Sequence, residues 1–80
     1  MKMKNELNNL YILEGVLADY TPGMAVVAAP SLERAWEVFF ERFADERLDV
    51  EHERRFCDDV KVIEGVNQPE GVVSYMYGGG

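Results

Sequence analysis

The stretch that decides the fold is Ser31-Leu32-Glu33-Arg34-Ala35-Trp36-Glu37-Val38-Phe39-Phe40-Glu41-Arg42-Phe43. Leu32, Ala35, Trp36, Phe39, Phe40 and Phe43 recur at offsets 0, 3, 4, 7, 8 and 11, which winds them into one broad apolar stripe of a helix. That stripe must cover a sheet. Pro30 stops whatever precedes it, Ser31 is placed to cap the free amides of the first turn, and Glu33 sits well near the positive end of the helix dipole. At about 1.5–3 kcal/mol for each fully buried large side chain, this face supplies a sizeable share of a small core.

Two stretches that echo each other flank the helix. The first reads Leu13-Glu14-Gly15-Val16, then Tyr20-Thr21-Pro22-Gly23, then Met24 to Ala29; the second reads Ile63-Glu64-Gly65-Val66, then Gln68-Pro69-Glu70-Gly71, then Val72 to Tyr77. Leu10 to Ala18 is rich in β-branched and large apolar residues on both sides of a period-two pattern, as in a central strand. Pro22 and Gly23 supply turn chemistry, so Met24 to Ala29 returns as its antiparallel partner. Val60 to Val66, the turn Asn67 to Gly71, and Val72 to Tyr77 read as a second hairpin. Glycine within the strand pattern at Gly15 and Gly65 marks bulges or close approaches. Residues 45–59 fit an alternating strand and a short helix about equally well, with a lean to a short helix or irregular segment.

Taken together, the pattern predicts one α+β domain over residues 1–80: a four- to five-stranded antiparallel sheet packed on one amphipathic helix, in ββαββ order. Residues 1–8 read as a loose N-terminal lead and 78–80 as a flexible tail. A chain of 80 residues leaves no room for separate catalytic and binding domains. Its 48% hydrophobic content is too high for an intrinsically disordered chain. Fifteen acids against eight bases give a net charge of −7, a field that repels phosphate backbones and anionic lipid surfaces, so neither direct nucleic-acid binding nor membrane association is expected. Cys57 is the only cysteine, which suits a reducing cytoplasm, and no window approaches the roughly 20 apolar residues of a membrane span.

The inventory for chemistry is thin. His52 lies between Glu51 and Glu53, with Cys57 five residues on; in a helix that spacing turns about 500°, so the two do not stack on one face. A surface histidine and a packed cysteine are the plainer reading. One His and one Cys do not make a zinc site, and Asp58-Asp59 with Glu51 or Glu53 lacks the spacing of a calcium loop. Gly78-Gly79-Gly80 is read without a helix after it and Gly71 is isolated, so no phosphate loop is expected. Tyr11, Tyr20, Tyr75 and Tyr77 are read as sheet packing, since a stacking platform for single strands needs more basic residues than this chain has. The expectation is a protein without enzymatic activity, metal or cofactor.

The acidic pattern says more. Glu33, Glu37 and Glu41 are spaced i, i+4, i+8, forming a stripe on the polar side of the helix with steps of about 6 Å, close to the separation of phosphates along one nucleic-acid strand. Arg34 and Arg42 partly neutralise it. Either the stripe is a solvated helix face or it is a partner-binding surface, with Glu33, Glu37, Glu41, Asp45, Asp58 and Asp59 as candidate contacts.

The run Tyr11-Ile12-Leu13-Glu14-Gly15-Val16, then Val26 to Ala35 through Pro30-Ser31-Leu32-Glu33, then Val60-Lys61-Val62-Ile63-Glu64 and Val72-Val73-Ser74-Tyr75, resembles small proteins of phages and mobile elements, several anti-CRISPR proteins among them. The resemblance covers about residues 10–77, rests on generic motifs and brings no catalytic residues. It implies a stoichiometric inhibitor, in the cytoplasm of a host cell, occupying a surface of a nucleic-acid-handling defence complex. A second resemblance is to ubiquitin-like sulfur carriers, which share the strand-strand-helix-strand order and end in Gly-Gly; here Gly79-Gly80 would carry the reactive carboxylate. Gly78 and the missing Gly-Asp-type turn depart from that pattern. A structural subunit or homodimer joined by a sheet edge is the third expectation.

Overall fold

The computed structural model describes residues 7–17, 23–44 and 49–78. Its elements are β1 (Asn8–Glu14), β2 (Met24–Ala29), α1 (Leu32–Arg42), α2 (Val50–Phe56), β3 (Asp59–Val66) and β4 (Gly71–Met76). The four strands form one antiparallel sheet in the order β3-β1-β2-β4.

β1 and β2 pair as expected, Tyr11 opposite Val27 and Leu13 opposite Ala25. β1 stops at Glu14, short of the strand read to Ala18. Gly15 has φ 97° and Leu17 φ 55°, and these left-handed residues turn the chain, so Val16 and Leu17 are buried as loop residues. At the other end Asn8 is a buried strand residue whose side-chain amide donates to the Gln68 carbonyl at 2.7 Å, so β1 reaches into the expected N-terminal lead, of which residues 1–6 lie outside the described residues.

The second hairpin is not formed. β3 pairs with β1 on one edge of the sheet, and β4 pairs with β2 on the other. Residues 67–70 cross the end of the sheet beneath β1 and β2, held there by the Asn8–Gln68 contact. The cause is the central strand: β1 is apolar on both faces and has two edges to satisfy. Val60 and Val62 align with Leu13 and Tyr11, while Lys61 bridges Glu14 at 2.6 Å and Asp59 at 3.0 Å. Glu64 and Gly65 stand together opposite Asn9, the bulge expected at Gly65, whose φ is 69°. A second irregularity leaves Val73 extra opposite Val26–Val27.

α1 starts and stops where its sequence predicts. The Ser31 hydroxyl accepts the Arg34 N–H at 3.2 Å, and Phe43 closes the helix by donating its N–H to Phe39. Ala35, Trp36, Phe39 and Phe43 are buried against Tyr11, Leu13, Ala25, Val27 and Ala29, with Phe40 half-buried beside them; Leu32 stays 40% exposed and Val38 joins the core. The Trp36 and Phe40 rings stack, while Phe39 meets its neighbours edge-on or tilted, its centroid 5.1 Å from that of Phe43.

Of residues 45–59, 45–48 lie outside the described residues and Val50–Phe56 form α2, capped by Asp49, whose carboxylate accepts the His52 N–H at 3.2 Å. α2 lies on the α1 side of the sheet: Arg54 stacks over the Trp36 ring at 5.5 Å and reaches Glu33 at 3.5 Å. Among the described residues no helix covers the opposite face.

Candidate interaction surface

The pleat of the sheet sorts the strand residues into two faces. Tyr11, Leu13, Ala25, Val27, Val60, Val62 and Tyr75 lie on the α1 side. Leu10, Ile12, Met24, Val26, Ala28, Ile63 and Met76 lie on the other, joined by Ser74 and the Lys61–Glu14–Asp59 cluster. Ile63 is 49% and Met76 60% exposed, Leu10, Ile12, Met24 and Val26 are half-buried, and Ala28 is fully buried. A soluble domain seldom leaves a contiguous apolar surface without a use for it.

The expected acidic contacts do not form one surface. Glu33, Glu37 and Glu41 stand on exposed turns of α1, as their spacing predicts, but two arginines hold them. Arg34 binds Glu37 at 3.1 Å, Glu41 at 3.4 Å and Glu70 through two parallel bonds of 2.9 and 3.0 Å, and Arg54 binds Glu33. Four carboxylates therefore share two guanidinium groups. The paired bonds from Arg34 hold the Glu70 carboxyl below its ordinary range, and the same contacts, Glu70 first, raise Arg34 further.

Asp59 is on the open side of the sheet, away from α1, where the Lys61 ammonium lowers its pKa; Lys61 is raised in turn, by Glu14 first and then Asp59. Asp58 is exposed beside it, its N–H donating to the Glu14 carbonyl. Asp45 lies outside the described residues. The stripe on α1 and the pair at the start of β3 are thus two acidic sites on different sides of the molecule.

Cys57 packs against the core and His52 lies on the surface, the plainer of the two readings. The Cys57 thiol donates to the Asp59 carbonyl at 3.4 Å, and burial pushes its pKa up, the reverse of what activates a nucleophile. His52 is exposed on α2. Among the described residues no three His, Cys, Asp or Glu side chains are grouped to hold a metal ion, and no helix is long and apolar enough to cross a membrane. Tyr11 is buried core, Tyr75 and Tyr77 pack edge-on to Phe43 while staying 41% and 48% exposed, and Tyr20 lies outside the described residues. The same holds for Gly79 and Gly80, on which the carrier resemblance rests; Gly78 donates its N–H to the Leu17 carbonyl at 3.0 Å.

Sequence reasoning missed Glu70 as a member of the acidic cluster and the open face as a surface. Glu70 has no periodic relation to the helix it joins. The face was legible only as strand alternation, since Leu10 and Ile12 read as the second buried side of a central strand. The chain matches no known protein family, no curated protein and no solved structure.

Proposed function

We propose that this protein is a binding module that acts on another protein by occupying its surface, without chemistry of its own. The observation that carries this reading is the sheet face opposite α1, on which no described helix packs: Leu10, Ile12, Met24, Val26, Ile63 and Met76 form an apolar patch, with its charges gathered at one corner in Glu14, Asp59 and Lys61. An apolar centre with a charged border is the composition of a protein–protein interface. Placing it on a rigid sheet lowers the ordering cost of binding.

The fuller form of the proposal is an anti-CRISPR-like inhibitor of phage or mobile-element origin, working in the host cytoplasm on a nucleic-acid-handling defence complex. Its support is the net charge of −7 and the exposure of Glu37 and Glu41, whose side chains are 64% and 66% accessible despite their contact with Arg34. Such carboxylates steer a small protein toward the basic grooves that hold nucleic acid. In this form the apolar face supplies affinity, and the acidic residues Glu33, Glu37, Glu41, Asp45, Asp58 and Asp59 supply orientation.

The test compares three baits for affinity capture: the wild-type chain, Ile63→Asp on the open face, and the double variant Glu37→Lys/Glu41→Lys. The expected result is a protein held by the wild type, lost from the Ile63→Asp bait, and bound more slowly and with altered salt dependence by the double variant. Equal capture by wild type and Ile63→Asp rejects the open face.

A further inference from the structure

We propose that two copies of this chain join through the outer edge of β4, pairing antiparallel about a two-fold axis to make one eight-stranded sheet. β4 borders the sheet, so one side of its backbone has no ladder partner among the described residues. A strand of another chain can take the place of water on such a row of N–H and C=O groups. The two edges of the sheet differ in how they are guarded. β3 carries Asp59, Lys61 and Glu64, whereas no charged residue occurs from Gly71 to Gly78, and Val73, Tyr75, Met76 and Tyr77 are 41–60% exposed. Two chains of net charge −7 meet here without opposed charges along the strand.

The charges flanking β4 indicate a second copy as the occupant. α1 runs alongside the strand, with Arg34 beside Glu70 just before β4 and Arg42 beside Tyr75 near its end. At the first end Glu70 and Glu37 flank the single Arg34, which Glu41 also reaches from the far end of α1, an excess of negative charge. At the other end Arg42 lies over the rings of Phe43 and Tyr75 at 5.1 and 5.3 Å and donates to the Tyr75 hydroxyl at 3.3 Å, with no carboxylate partner among the described residues. Antiparallel pairing of β4 with its own copy sets the Gly71 end of one strand against the Met76 end of the other. The Arg42 guanidinium of each copy then faces the acid-rich end of its mate, and symmetry repeats the contact twice. Both open faces remain free and lie on the same side of the joined sheet, so the dimer is independent of the binding reading above.

Light scattering across a concentration series tests this. The expected result is a mass rising toward twice the 9.1 kDa of the chain. Arg42→Glu should weaken the dimer about tenfold, since it breaks two symmetric ion pairs. Combining it with Glu70→Lys should recover most of the loss. Val73→Lys, which puts a charge on the bare edge, should also weaken it, with circular dichroism confirming that each variant is folded. A chain that stays at 9.1 kDa up to its solubility limit, whether or not β4 takes up a strand of some other protein, overturns the proposal. So does a dimer whose stability neither Arg42→Glu nor Val73→Lys changes.

Discussion

The Glu53 carboxylate accepts the backbone N–H of Leu17 at 2.7 Å in the protein interior, across 36 residues of chain. Glu53 is 8% and Leu17 3% exposed, and Leu17 holds a φ of 55° that a branched side chain seldom adopts. The Leu17 carbonyl in turn accepts Gly78 N–H at 3.0 Å. One loop residue thus ties α2 to the segment that leaves β4. Glu53→Ala should cost about 1–3 kcal/mol by leaving that N–H buried and unpaired. Glu53→Gln, which keeps the acceptor oxygen, should cost less than Ala; urea denaturation of the two variants measures the difference.

Gly23 occupies the tightest place in the fold. A Cβ there would press into the Met76 carbonyl oxygen, with the Gly78 nitrogen at 2.7 Å and the Val16 oxygen at 2.8 Å, all of them backbone atoms with little freedom to yield. Gly23→Ala should therefore destabilise by about 1–3 kcal/mol or more, the range of overpacked sites. Gly71→Ala meets no atom within 4 Å and is strained only through its φ of 151°. A lower melting temperature for Gly23→Ala than for Gly71→Ala is the expected order.

The helix stripe should divide sharply on mutation. Phe39 is fully buried and touches the rings of Trp36, Phe40 and Phe43, so Phe39→Ala should cost about 3–5 kcal/mol, enough to unfold much of a domain this small. Leu32, at 40% exposure, should cost well under half of that on the same change. Chemical denaturation of the two alanine variants gives the comparison.

Those two residues also show how far the sequence could be read. The spacing of Leu32 to Phe43 placed the helix and its cap, and the β1–β2 hairpin followed from Pro22-Gly23 and the strands beside it. What alternation did not contain was strand order. Four residues, Asn67 to Glu70, serve equally as a hairpin loop and as a crossing beneath the sheet, and local propensity is the same for both. The choice is made by contacts distant in sequence: Val60 and Val62 beside Leu13 and Tyr11, and Asn8 on Gln68. The acidic stripe was legible as a stripe. Its clustering with Glu70 and the separation of Asp59 from it depend on strand order, so they were not.

Acid should weaken the fold in a defined direction. Arg34 lowers the Glu70 pKa and Lys61 lowers that of Asp59, so both carboxylates release their protons more readily folded than unfolded. Their contribution is present above the ordinary carboxylate range of about 3.9–4.3 and is lost as pH falls through it toward the lower folded values. Both groups are solvent-exposed, so the effect is modest. Arg34→Gln should flatten the fall in melting temperature below about pH 5 by removing the Glu70 part, while Lys61→Gln removes the Asp59 part.

The claim that the sheet face opposite α1 is the functional surface is tested most directly by oxidative footprinting of the captured complex against the free chain. The prediction is that Met24, Ile12 and Ile63 become protected from hydroxyl radicals while Leu32, on the exposed flank of α1, keeps its reactivity. Unchanged oxidation of Met24 and Ile63, with protection confined to the α1 side, contradicts it.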